Sequence, residues 1–179
     1  MRKATDRQRR GSCYITAEGF QALDIENRSL WEKRRQVTAA VAAAAAEGDR
    51  SENAEYIYRK KQLREIDRRL RYLQKRLEEL TIVDRLPDDR NRVYFGAWVT
   101  VIDDDDRRHC YRIVGPDEFG HDSRYISIDS PVARALLNRM LDDEVTVTLP
   151  SADKHLCIID IAYSGPAVDN GQKTSSETS

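Results

Sequence analysis

The sequence predicts an α+β protein: an N-terminal antiparallel two-helix coiled coil followed by a small domain in which an antiparallel β-sheet packs on one helix. Three observations support this fold class. Two segments repeat apolar residues at helical spacing, a turn-forming segment separates them, and beyond residues 86–91 the apolar period changes to alternation.

Two seams predict the coiled coil. In each, the seam residues recur alternately three and four positions apart, as in a heptad repeat. The first seam consists of Phe20, Leu23, Asn27, Leu30, Arg34, Val37, Val41 and Ala44. The second consists of Leu63, Ile66, Leu70, Leu73, Leu77 and Leu80. With about 30 residues per arm at about 1.5 Å each, the hairpin would be roughly 45 Å long, with residues 48–52 at its far end.

These patterns divide the chain into five segments. Residues 1–15 form a basic arm and residues 165–179 a tail rich in Gly, Ser and Thr, and both are expected to be disordered. Residues 16–84 form the coiled coil, residues 85–92 a linker, and residues 93–164 the second domain. Its expected order is three strands, one helix and two strands, at residues 93–102, 110–114, 125–128, 131–141, 145–149 and 156–163.

The composition argues against a membrane protein and a disulfide framework. Charged residues make up 34% of the chain. No stretch approaches the roughly 18 consecutive apolar residues that a membrane span needs, so a cytoplasmic protein is expected. Cys13, Cys110 and Cys157 are far apart and form no CxxC pair, which predicts reduced thiols rather than disulfides or a zinc site.

Charge is segregated along the chain although the net charge is only -1. Residues 59–76 contain nine basic and two acidic side chains, whereas acidic residues concentrate at residues 47–55. On the outside of a coiled coil such a run is either a solvated face or a surface for a polyanion. The four aspartates at residues 103–106, followed by two arginines, are interpreted as a solvated hairpin turn rather than a metal cluster.

The turn between the seams has two interpretations. In the first it is only a capped turn, in which Asp49 or Ser51 caps the second helix and Glu52 and Glu55 favour its N-terminus. In the second, Asp49 and Glu52, three residues apart at an exposed turn, bind a common cation. Two carboxylates alone cannot form a tight site, so such a pair needs ligands from another molecule.

Longer motifs resemble the Gre family of bacterial transcript-cleavage factors, in particular its GreB branch. The sequences GDRSENAEY at residues 48–56 and LREIDRR at residues 63–69 are similar to the hairpin tip and second helix of that family. In the second domain, FGAWV at residues 95–99, YRIVG at residues 111–115 and YISIDSPVARAL at residues 125–136 resemble its C-terminal domain. The resemblance runs from about residue 16 to residue 163 and implies an FKBP-like second domain.

The resemblance implies an accessory factor rather than an enzyme. The hairpin would enter the secondary channel of RNA polymerase and stimulate the polymerase's own endonucleolytic cleavage of backtracked RNA. Asp49 and Glu52 would be the catalytic residues, holding Mg²⁺ and its water together with the polymerase active centre, and Ser51, Asn53 and Tyr56 would support the tip. No stable metal site in the isolated protein and no cofactor of its own are expected.

The resemblance also implies partners. A basic patch would contact the RNA 3′ end, and it consists of Arg59, Lys60, Lys61, Arg64, Arg68 and Arg69. Asp129, Ser130 and Pro131 would dock on the rim of the polymerase channel, although Ser130 and Pro131 also suit the start of a helix. A monomer that binds no membrane is expected. The alternative is a Gre-like inhibitor that occupies the same channel without stimulating cleavage.

Overall fold

The computed structural model describes residues 11–46, 53–120, 122–150 and 152–166. The chain divides into two compact units, one of residues 17–82 and one formed by the residues before and after that segment. The α+β class is confirmed, because a helical hairpin is followed by a β-sheet domain. Within the described residues, none of the helices is long and apolar enough to cross a membrane.

The hairpin consists of α1 (Ala17–Ala46) and α2 (Ala54–Glu79). The predicted seams form its interior: the buried hydrophobic side chains are Leu23, Val37, Ala44, Ile66, Leu70 and Leu73. Gly19 and Arg76 are also buried, outside the predicted seams. The helices are antiparallel, since Glu26 contacts Arg69 near one end of the hairpin and Ala44 contacts Asn53 near the other. Alanines fill the end of α1, and alanine has the highest helix propensity.

The two polar residues of the first seam, Arg34 and Asn27, differ in their hydrogen bonding. Arg34 donates from Nε to Oδ1 of Asp67 on α2 at 2.7 Å, so this seam arginine is neutralised across the hairpin. Asn27, in contrast, has a buried side-chain oxygen that accepts no hydrogen bond within the described part of the chain. The heptad pattern therefore specifies the packed face even where a position is polar.

A five-stranded sheet forms the second unit. Its strands are β3 (Trp98–Asp103), β4 (Arg108–Val114), β5 (Tyr125–Ser127), β6 (Glu144–Val147) and β7 (Lys154–Ala162), in the order β5-β4-β3-β7-β6. Three of the four pairings are antiparallel, as predicted. The prediction is wrong for β5, which pairs parallel to β4, with Arg112 opposite Tyr125 and Val114 opposite Ser127. β5 therefore begins beside Arg112, in the second half of β4, and runs in the same direction as β4.

The core of this unit lies between one face of the sheet and the helix α3 (Pro131–Leu136). Ala133 and Leu136 are fully buried against sheet residues such as Val99, Val101 and Ile158. The predicted helix to residue 141 is too long, because Asn138 adopts a left-handed backbone with φ 64°. The predicted start of the first strand at residue 93 is also wrong, because the chain turns at Gly96, φ 86°, and β3 starts at Trp98.

Two short strands flank the hairpin in the chain, β1 (Tyr14–Thr16) and β2 (Thr81–Val83). Residues 1–15 are expected to be disordered, but this expectation is wrong for Tyr14 and Ile15, which belong to β1, with Ile15 fully buried. Residues 1–10 and 167–179 lie outside the described residues. Thr16 is held by Glu118: its backbone N–H donates to Oε2 at 3.1 Å and its hydroxyl donates to Oε1.

Candidate functional site

The tip of the hairpin carries the candidate catalytic pair. Asp49, Ser51 and Glu52 lie outside the described residues. The structure describes only the helix ends that precede and follow them. Within the described residues, α1 ends at Ala46 and α2 begins at Ala54. The Asn53 side chain forms hydrogen bonds to both helix ends.

Asn53 is the residue that caps α2, whereas the sequence favours Asp49 or Ser51. Its side-chain Oδ1 accepts from the backbone N–H of Tyr56 at 3.0 Å, which satisfies one of the free donors at the helix start. Its Nδ2 also donates to the carbonyl oxygen of Ala44 on α1 at 2.9 Å. One amide therefore fixes the start of α2 to the end of α1, directly beside the tip.

Replacing Asn53 separates these two roles. In Asn53→Ser the hydroxyl still caps α2 but the bond to Ala44 is absent; in Asn53→Ala both are absent, and the cap alone contributes about 1 kcal/mol. We expect amide hydrogens in the first turn of α2 to exchange about fivefold faster in Asn53→Ala, because about 1 kcal/mol of capping free energy is lost, and less than about twofold faster in Asn53→Ser. Hydrogen exchange followed by NMR measures this. Unchanged exchange in Asn53→Ala would contradict the capping role.

Tyr56 follows in the first turn of α2 and is half-buried. Its ring lies 5.4 Å from Lys60 Nζ, and its hydroxyl is 3.5 Å from the same ammonium group. Of the three residues expected to support the tip, Asn53 and Tyr56 thus have contacts at its base, and Ser51 is not described. Tyr58 is more exposed than Tyr56, at 61%.

The basic patch divides into two groups. Lys61, Arg64 and Arg68 are exposed and recur three and four residues apart, so they lie on one helix face, opposite the seam. None of the three has a carboxylate within 4 Å among the residues that the structure describes. Arg71 and Lys75 extend the same face at the same spacing and are also exposed. We call these five residues the outer stripe.

Arg59, Lys60 and Arg69 differ from the outer stripe. Arg69 donates from two nitrogens to Glu26 at 2.7 and 2.8 Å, and Arg59 lies 3.3 Å from Glu55. These two arginines are already partly neutralised within the hairpin, whereas the side chains of the outer stripe are exposed on the opposite side of α2 from the seam. Arg71 and Lys75, which the patch predicted from the sequence does not include, are exposed on the same helix face. Their three-and-four spacing behind Arg64 and Arg68 is the signal that indicates them.

Asp129, Ser130 and Pro131 form a rigid turn before α3. Ser130 is the N-cap, its Oγ accepting from Ala133 N at 3.1 Å, and Pro131 occupies the first turn. The Asp129 backbone N–H donates to Ser127 Oγ at 3.1 Å, and the Asp129 side chain is 36% exposed. Ser130 therefore caps the helix, which leaves Asp129 and the exposed ring of Pro131 as the accessible parts of the loop.

The aspartate run at residues 103–106 is a hairpin turn between β3 and β4. Asp103 Oδ2 lies 2.8 Å from His109 Nε2, and this hydrogen bond, with backbone donors such as Arg107 N–H, lowers the pKa of Asp103 to about 2. Its carboxylate is thus committed to the turn. Over the described residues, no group of three or more His, Cys, Asp or Glu side chains is arranged to hold a metal ion.

Comparisons with known proteins identify the family. Residues 13–82 match the model "Transcription elongation factor, N-terminal" of GreA and GreB, and residues 87–163 match "Transcription elongation factor, GreA/GreB, C-term". Transcription elongation factor GreB of Yersinia pestis is 58% identical over 85% of this chain and 90% of its own. The protein of that name from Pseudomonas aeruginosa is 56% identical over 86% of this chain and 92% of its own.

A solved structure, that of GreA factor homolog 1 of Thermus thermophilus, is 19% identical, covers 84% of this chain and 99% of its own, and has a TM-score of 0.40. The assignment rests on the sequence relatives and on the two family models. Together the models span both units of the chain. The chain therefore belongs to the GreA/GreB family of transcription elongation factors, and within it to the GreB branch.

Proposed function

We propose that the protein is a cytoplasmic accessory factor of RNA polymerase that stimulates cleavage of backtracked nascent RNA by the polymerase's own active centre. Relatives named transcription elongation factor GreB, 56–58% identical over most of this chain, carry this proposal. The hairpin would enter the secondary channel and present its tip to the active centre. A narrow, alanine-lined end of α1 suits such a path.

The tip carboxylates Asp49 and Glu52 would complete a magnesium site whose remaining ligands belong to the polymerase and the RNA. Hard carboxylate oxygens suit Mg²⁺, and two of them are too few for a site in the isolated protein. When bound, the ion would stabilise charge on the attacking and leaving oxygens of the phosphodiester. The chain's own contribution is to position these two side chains, and the Asn53 bond to Ala44 supports that role by fixing the base of the turn.

The outer stripe would hold the extruded RNA 3′ segment. Lys61, Arg64 and Arg68 have no acidic partner within the described hairpin, and together with Arg71 and Lys75 they form a row of positive charge along α2. Phosphates would replace the counterions of these side chains, so binding weakens as salt rises. Arg59, Lys60 and Arg69 flank this row and would contribute less, since Arg59 and Arg69 already contact glutamates.

Neutralising two arginines of the outer stripe should make cleavage stimulation less sensitive to salt concentration. We expect Arg64→Gln with Arg68→Gln to raise the concentration needed for half-maximal cleavage. A plot of the logarithm of this half-maximal concentration against the logarithm of salt concentration should have a slope lower by about 1.4. Each phosphate of single-stranded RNA that a cation neutralises contributes about 0.7 to the slope, and two cations are removed. The matched control is Arg28→Gln with Arg35→Gln, which removes the same charge from α1, where both arginines are paired within their own helix. An equal change in both double variants would indicate a net-charge effect only.

The test of the proposed function is a purified, backtracked elongation complex with Mg²⁺. Adding the protein should release short 3′ RNA fragments and restore elongation, whereas the protein without polymerase should cleave no RNA. Slower nucleotide addition without fragments would contradict the proposal and indicate a channel-blocking inhibitor. Cleavage of free RNA would indicate a self-contained nuclease instead.

A further inference from the structure

The segment before β1 contacts the loop proposed to dock on the polymerase. Ser12 donates its backbone N–H to Asp129 Oδ2 at 2.7 Å, across 117 residues of sequence. The segment is fixed further by the Tyr14 backbone N–H, which donates to Ser12 Oγ at 3.2 Å. The Asp129 carboxylate is therefore held by a second part of the chain, and not only by its own turn.

Gly11 makes this contact possible. Its backbone has φ +71°, a left-handed conformation that L side chains rarely adopt. A Cβ placed on it would lie 2.6 Å from Asp129 Oδ2 and 3.2 Å from the ring of Pro116. Any larger residue would have to displace the carboxylate or the segment, so the close approach depends on glycine at this position.

The other carboxylate oxygen of Asp129, Oδ1, lies near Arg134 and not near Ser12. Oδ1 lies 4.0 Å from a guanidinium nitrogen of Arg134, a side chain that is 70% exposed. At that distance it forms no hydrogen bond. One carboxylate oxygen is thus committed to Ser12, and the other retains its capacity to accept from a donor outside the chain.

We propose that Gly11 and Ser12 are positioning residues of the docking surface: they orient the Asp129 carboxylate so that its second oxygen accepts a donor on the polymerase rim. This inference rests on the proposed function and extends it to a segment outside the family match, which begins at residue 13. An acceptor already oriented in the free protein loses less conformational entropy on binding, which strengthens association without adding a contact.

Gly11→Ala in the full-length protein tests the inference, and Gly120→Ala is its matched control. Gly120 is exposed, and a Cβ added there meets nothing within 4 Å. We expect Gly11→Ala to weaken equilibrium binding to core RNA polymerase about five- to tenfold and Gly120→Ala to leave it within about twofold, as expected when one side chain must be ordered on binding. Unchanged binding by Gly11→Ala would overturn the inference.

A double-mutant cycle shows whether Gly11 acts through Asp129. Asp129→Ala should weaken binding by itself, and adding Gly11→Ala to it should produce no further loss. A further loss equal to that of the single variant would overturn the positioning role. Tighter binding by Gly11→Ala would also overturn it, because the segment would then compete with the polymerase for Asp129. Failure of the unaltered protein to bind polymerase is a different result, and it would reject the proposed function itself.

Discussion

Asp49→Ala and Glu52→Ala should each abolish stimulated transcript cleavage, lowering its rate at least about a hundredfold, while affinity for RNA polymerase stays within about twofold. A loss of that size is typical for a group that stabilises charge only in the transition state. Binding should persist because affinity would come from the outer stripe and the docking loop, not from two side chains at the tip. Single-turnover cleavage and equilibrium binding, measured on the same elongation complex, separate the two quantities.

Glu55→Ala is the matched control for the tip variants. It removes one carboxylate from the first turn of α2, three residues beyond Glu52, where Glu55 lies 3.3 Å from Arg59. Its cleavage rate should change less than about twofold. Raising Mg²⁺ should partly restore Asp49→Ala and Glu52→Ala if they act by holding the ion. If both tip variants cleave at the normal rate, or if Glu55→Ala is equally inactive, the tip pair is not the catalytic element.

The hairpin could be predicted from the sequence because its packing is local and periodic. All buried hydrophobic side chains of the described hairpin, from Leu23 to Leu73, fall at positions of the predicted heptad seams. The N-cap could not be predicted in the same way, because Asp49, Ser51 and Asn53 are all good capping residues. Asn53 is distinguished by its bond to Ala44, a contact between helices that no spacing along one helix indicates.

The second unit shows where a sequence pattern stops being sufficient. Alternating apolar residues indicate strands, but the direction of β5 depends on how residues 115–124 return, which the strand sequence does not contain. Likewise, the three-and-four spacing places Lys61, Arg64 and Arg68 on one face, but only the pairing of Arg69 with Glu26 shows which cations are neutralised. The contact of Ser12 with Asp129 joins residues 117 positions apart, and no local signal indicates it.

Glu118→Ala should destabilise the protein more than any surface substitution, by about 3–5 kcal/mol. The side chain is 3% exposed, and its carboxylate accepts from the Thr16 backbone N–H at 3.1 Å, the Thr16 hydroxyl and the Gly115 N–H at 2.9 Å. Alanine removes the acceptor and leaves these donors buried without it. Chemical denaturation followed by tryptophan fluorescence in a Trp31→Phe background, which leaves Trp98 of the sheet as the reporter, gives the free energy of unfolding.

Glu118→Gln distinguishes the hydrogen bonds from the charge. Its amide oxygen can accept both backbone N–H groups and its NH₂ group can donate to the Thr16 hydroxyl, but the negative charge that strengthens these bonds is absent, so we expect about half the loss of Glu118→Ala. Glu144→Ala, an exposed glutamate on β6, should lose less than about 0.5 kcal/mol. Because Glu118 fixes the residues that lead into α1, the amide hydrogen of Thr16 should be among the first to exchange in a partly destabilised variant. Retention of both Thr16 amide protection and stability in Glu118→Ala would mean that the Glu118 carboxylate does not fix this segment.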